Sequence, residues 1–187
     1  MDPGNTEESY RSRQVIEFLT VANEYCLFLE KAEDYDREIL LDFISKISPL
    51  LYLKGALLPT VLVSDPGANE RFVTQEQWED MFLTLHRIFG KDDIFWIAIP
   101  ESDGQYALIK ASLAEHLSDI YQDMKDFVVL YQKNLQASGE NAASEARRLF
   151  ASHWGTRIAQ FQRHVHTLIH GEPQEGNEDL NEILSGI

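Results

Sequence analysis

Four of the six histidines in this 187-residue chain fall within HWGTRIAQFQRHVHTLIH, residues 153–170. Imidazoles at that density suit three kinds of chemistry: divalent-metal ligation, proton transfer, or binding of an anionic group beside an arginine. At about 100° per residue on a helix, His153, Arg157, Gln160 and His164 gather within roughly 60° at one edge of the apolar stripe. His166 and His170 project elsewhere as an i, i+4 pair near the helix end, where imidazolium meets the macrodipole favourably. The four histidines are two pairs rather than one metal box.

The preceding helix carries its own polar row. His116, Asp119, Asp123 and Asp126 stand at i, i+3, i+7 and i+10, within about 80° of one another. If the two helices are antiparallel neighbours, His153 and Arg157 approach these carboxylates. The candidate ligand-binding set is therefore His116, Asp119, Asp123, His153, Arg157 and His164. One functional reading has imidazoles and carboxylates from facing helices bind a divalent metal. No Glu-x-x-His repeat supports it, and Arg157 sets a cation beside the proposed ion. In the other, Arg157 and the histidines hold an anionic group, oriented by the aspartates. Inter-helix salt bridges and solvated faces account for the same residues without any site. The metal and any cofactor stay open, and no catalytic residue is assigned.

Other catalytic motifs are missing: there is no Gly-x-Ser-x-Gly, Gly-x4-Gly-Lys-Ser/Thr, Cys-x2-Cys, His-Glu-x2-His or Gly-x-Gly-x2-Gly. The single cysteine, Cys26, has no partner for an internal disulfide. Its neighbours Tyr25, Leu27 and Leu29 suit a small buried thiol better than a nucleophile.

The net charge is −15. Such a chain repels phosphate backbones, and no basic stripe interleaves with aromatics, so nucleic acid is excluded as a partner. An acidic surface favours solubility, basic partners or divalent cations. No uncharged apolar run of about 18 residues exists, so no membrane span is expected. The opening MDPGNTEESYRSRQ has no apolar segment and does not read as a secretory signal, which makes a cytoplasmic location the expectation.

These side chains need helices to position them. Val15, Phe18, Leu19, Ala22, Tyr25, Cys26 and Leu29 form the stripe of a first helix over about 12–31. A second starts near Tyr35 with Ile39, Leu40, Phe43, Ile44 and Ile47, and Pro49 is expected to kink or end it. LLYLKGALLP then reads as a deeply buried continuation. Residues 63–73 are a turn-rich loop, and Thr74 with Gln77 makes a capping box opening a third helix that Gly90 closes. His86 lies off its apolar stripe, as a structural or exposed residue. IFWIAI, Pro100 and Asp103-Gly104 suit either a short hairpin or an extended loop around 92–109. Ser112 and Glu115 cap a long helix broken at 137–139, and a last helix runs from about Asn141 to His170. The expected fold is all-α, a bundle of about five to six helices. Residues 1–11 read as a disordered lead, 12–170 as a single helical domain and 171–187 as an acidic tail.

SLAEHLSDIYQDMKDF, LYLKGALLP and HWGTRIA together resemble a bacterial family, domain-of-unknown-function family 5063, over roughly residues 15–170. The resemblance implies a mostly helical bacterial protein with no assigned activity and no catalytic residues to carry over. Members of that family tend to have an acid where this chain has His116 and a histidine where it has Arg157, a departure that weakens any metal site the resemblance would imply. The leading expectation is a binding or protein-interaction module, acting with a protein partner or as a homo-oligomer through LLYLKGALLP or exposed aromatics such as Trp96. The alternative is an enzyme or sensor using the polar or metal site between the last two long helices.

Overall fold

Four helices begin where the sequence supplies a side-chain oxygen to the free N–H groups of the first turn. A computed structural model describes residues 9–100 and 104–171. In it, Ser12 accepts from Val15 N to open α1 (Arg13–Leu29), and Asp36 accepts from Ile39 N to open α2 (Arg37–Ala56). The capping box of Thr74 and Gln77 opens α3 (Gln75–Phe89). A two-stranded antiparallel ribbon follows, β1 (Ile94–Pro100) and β2 (Tyr106–Ser112), with Ile97 opposite Ile109. Ser112 ends β2 and caps α4 (Leu113–Gln132) by accepting from Glu115 N. Two helices without side-chain caps, α5 (Gln136–Ser152) and α6 (Trp154–His170), complete the fold. The expected helical bundle with a short hairpin is the architecture found.

The core centres on α4, which packs against α1, α3, α5 and α6, while α2 covers α1, α5 and α6. Thirteen of the twenty α4 side chains are buried, far more than one apolar stripe would give. Trp154 is fully enclosed, stacks on Phe18 with ring centroids 5.6 Å apart, and donates from Nε1 to the Ala146 carbonyl at 3.1 Å. Tyr25, also fully buried, donates its hydroxyl to Leu117 O at 2.9 Å and ties α1 to α4. Cys26 is buried in the same layer, and burial pushes its thiol far above the ordinary range.

The ribbon is rooted by one carboxylate. Asp93 has no solvent exposure, and its oxygens accept from Ser112 Oγ at 3.0 and 2.9 Å and from Ala114 N at 2.7 Å. His86 Nδ1 lies 2.8 Å from Asp93 Oδ2, so this histidine is structural. One buried group thus closes the hairpin base, caps α4 and holds the end of α3.

Four details depart from the sequence expectations. Pro49 sits on an exposed side of α2 without ending it. The buried residues Ile44, Ser48, Leu51 and Gly55 on either side anchor both turns, and their packing offsets the interior-proline cost of about 3 kcal/mol. LLYLKGALLP is buried only at Leu51, Gly55 and Leu58; Leu50, Tyr52, Leu53 and Leu57 face outward because α2 is covered on one side. The break between α4 and α5 lies at 133–135, where Asn134 takes a positive φ of 55°, and Ala137-Ser138-Gly139 is helical. Gly139 is covered directly by the Tyr10 ring. Finally, the last helix is two helices, divided at His153 with φ −140° and ψ −88°. Residues 1–8 of the lead and 172–187 of the tail lie outside the described residues, while Ser9–Arg11 form a single turn with Tyr10 buried.

The α5–α6 joint depends on a missing side chain. A Cβ at Gly155 would run into the Phe150 carbonyl and ring, and one at Gly55 into the Trp154 ring. Gly155→Ala is expected to lower stability by about 1–3 kcal/mol, because a backbone carbonyl cannot step aside as a flexible side chain could. Urea unfolding of the variant beside the wild type measures this.

Candidate functional site

The acidic row on α4 is met, residue by residue, from three other segments. Asp119 accepts from Trp78 Nε1 of α3 at 2.9 Å and from Arg157 Nε of α6 at 2.6 Å. Asp123 Oδ2 lies 2.5 Å from His153 Nδ1, and its Oδ1 lies 3.4 Å from Arg71 Nη1. Asp126 accepts from the backbone N–H groups of Phe72 and Val73 at 2.7 and 3.0 Å and from Arg71 Nη1 at 3.1 Å. Arg71 Nη2 also donates to Glu145 on α5 at 3.1 Å. Burial opposes the charge on Arg71, but Asp126 and Asp123 outweigh it and hold its pKa above the ordinary guanidinium value.

The six residues singled out by helical geometry therefore divide. Asp119 with Arg157 and Asp123 with His153 form one continuous seam. His116 sits one turn nearer the start of α4 and donates from Nε2 to Gln160 Oε1 at 2.9 Å, with its buried Nδ1 unpartnered among the described residues. Burial is the main cause that lowers the His116 pKa, and Arg157 adds to it, so the ring is neutral near pH 7. His164 belongs elsewhere: its Nε2 donates to the Asp92 carbonyl at 2.7 Å and its ring stacks on Phe95, fixing the base of β1. His166 and His170 are exposed on the last turns, ring centroids 4.8 Å apart.

Sequence reasoning missed Arg71 and Trp78. Both lie more than forty positions before the carboxylates they serve, and only the need of a buried aspartate for donors pointed toward them. Chemically the seam is nearly saturated, every carboxylate in it already accepting from arginine, histidine, indole or backbone. Among the described residues no three His, Cys, Asp or Glu converge as metal ligands. What stays open is His153: Nδ1 is fixed on Asp123, Nε2 has no partner among the described residues, and the ring edges an open cleft of about 390 Å³. Arg71, Gln122, Asp123, Leu149 and Ser152 line the rest of it.

The apolar counterpart lies on the ribbon. Phe95 and Ala111 turn inward against the bundle, so the alternate residues of both strands face out. That outer face carries Ile94, Trp96, Tyr106 and Leu108, which are 44, 55, 69 and 67% exposed. Its single charge is Lys110, whose Nζ lies 5.5 Å from the Trp96 ring centroid.

Fold and seam together define a six-helix bundle with a rooted β-ribbon and an interhelical ion-pair row, among whose described residues no helix is long and apolar enough to cross a membrane. The chain belongs to the domain of unknown function family DUF5063, whose model matches residues 9–171. It is similar to the crystal structure of protein BF1032 from Bacteroides fragilis, at 32% identity and a TM-score of 0.80 over 90% of this chain and 99% of that one. No curated protein matches the chain.

Asp126→Ala leaves two backbone N–H groups and Arg71 short of an acceptor and is expected to cost about 2–4 kcal/mol in a chemical-denaturation series. His116 gives a pH signature. Its folded-state pKa is depressed, so the folded chain binds that proton less readily than the unfolded chain. The stability it contributes is complete above the ordinary imidazole range, near about 6.5, and is lost as pH falls below it. In His116→Gln the unfolding free energy should fall less steeply between neutral and mildly acidic pH than in the wild type.

Proposed function

We propose that this protein is a protein-interaction module whose contact surface is the outer face of the β1–β2 ribbon. The observation that carries the reading is the contrast between the two surfaces. The charged groups along α4 are consumed by one another, whereas Ile94, Trp96, Tyr106 and Leu108 stand together without a cover among the described residues. Contiguous apolar side chains on an otherwise strongly acidic chain mark a place where another surface lies. The ribbon suits that use because, among the described residues, its sheet has two strands and so two outer edges, which offer backbone N–H and C=O groups to an added strand. Residues 94–100 and 106–112 contain no acid, so the fitting partner is apolar and low in charge.

The test is capture on immobilised protein, comparing wild type with the double variant Trp96→Thr, Leu108→Thr, which keeps strand propensity and removes the apolar face. The expected result is binding of a defined partner that the variant loses, while circular dichroism and melting are unchanged. Equal capture by both forms overturns the reading.

A second reading rests on His153. A histidine fixed through Nδ1 on a buried carboxylate and lining an open cleft is placed to meet a small ligand. Under this reading the protein is a ligand-binding sensor or an enzyme centred on His153, Asp123 and Arg71. Histidine side-chain NMR during titration with phosphate, carboxylates and divalent cations tests it: a saturable shift of the His153 signals, absent in His153→Gln, is expected, and no response to any of the three discards it.

A further inference from the structure

We infer that the occupant of the ribbon's outer face is the same face of a second copy of this chain, related by a twofold axis. The inference rests on the interaction-module reading and adds the partner's identity.

Charge selects the occupant. Each chain carries −15, so two copies repel over most of their surfaces. The ribbon strands hold one lysine and no acid. The acids at the ribbon's base are already engaged, Asp93 by Ser112 and Ala114 and Asp92 by Arg37 Nη2 at 2.7 Å. The strands that form this outer face therefore set no carboxylate of their own against a second copy. A strongly basic partner, the natural complement of an acidic chain, finds no acid on the strands to pair with.

Size and symmetry agree with this. At their observed exposures the four large side chains of the face offer roughly 500 Å² per copy. A face-to-face pair then covers roughly 1,000 Å², where specific interfaces begin. A twofold pair is also self-complementary, since Trp96 and Leu108 of one copy meet the same residues of the other. An interface of that size gives reversible, concentration-dependent association rather than an obligate dimer. Asp93 and Phe95 anchor the ribbon to α4 and α6, so little order has to be gained on pairing.

Sedimentation velocity of the full chain over a wide concentration range tests the inference. The expected result is a reversible monomer–dimer equilibrium that tightens as salt rises from low to physiological, because screening relieves the repulsion between the acidic bodies. Trp96→Thr with Leu108→Thr should raise the dissociation constant about tenfold or more. Ala98→Glu, a small exposed position on the same face, should do likewise with the apolar side chains left in place. A chain that stays monomeric at the highest concentration overturns the inference, and so does a dimer that neither variant weakens or one that salt dissociates. A monomeric wild type that still shows ribbon-dependent capture removes the second copy and leaves the interaction reading standing. A monomer without such capture removes both.

Discussion

Helix α4 is enclosed by four other helices and yet carries Asp119, Asp123 and Asp126 along one face. A carboxylate withdrawn from water costs several kcal/mol unless donors replace its hydration. Much of the architecture follows from meeting that demand. The loop before α3 closes over Asp126 with two backbone N–H groups, α3 lays the Trp78 indole against Asp119, and the start of α6 brings His153 and Arg157 to the row. Apolar stripes alone would allow α6 and α3 to rotate or slide on α4. The aspartates tie them to one register, and because Asp123 and Asp126 share Arg71, the contacts act as a coupled group rather than as independent pairs.

How much of this was written in the chain depends on distance along it. The caps at Thr74 and Ser112 were legible because donor and acceptor lie within three residues. Angles around a helix also turn His153 and Arg157 toward the carboxylates of the preceding helix, since each row is set by its own 3.6-residue period, but which acid each one meets follows only from how the helices pack. The division of the last helix at His153 was not legible, because its causes are tertiary: Trp154 enters the core and Gly155 lies against the Phe150 carbonyl. Angle alone groups His164 with the seam, but the Asp92 carbonyl in the turn before β1 takes its Nε2. Arg71 gave no local signal at all. Its role exists only once the loop has been laid over α4.

The placement of charge and apolar surface runs against the usual expectation for an acidic chain. A row of ionic groups on α4 is turned inward and matched, while a patch of large apolar side chains is held outward on a ribbon whose root is a buried aspartate. That root joins β1, β2, α3 and the first turn of α4 through one side chain. Load on the ribbon therefore passes directly into the central helix, at the end opposite the Arg71 contacts. The cleft beside His153 lies at the Arg71 contacts, away from that root.

Cys26 adds a different consequence. Its sulfur lies in the layer that joins α1 to α4, one residue from the Tyr25 hydroxyl that clasps the Leu117 carbonyl, and burial keeps it as a thiol rather than a thiolate. Alkylating reagents attack the thiolate, so the native protein is chemically silent to them. The molecule thus carries a single clock for its own breathing: the rate at which a thiol reagent modifies Cys26 counts how often α1 lifts away from α4.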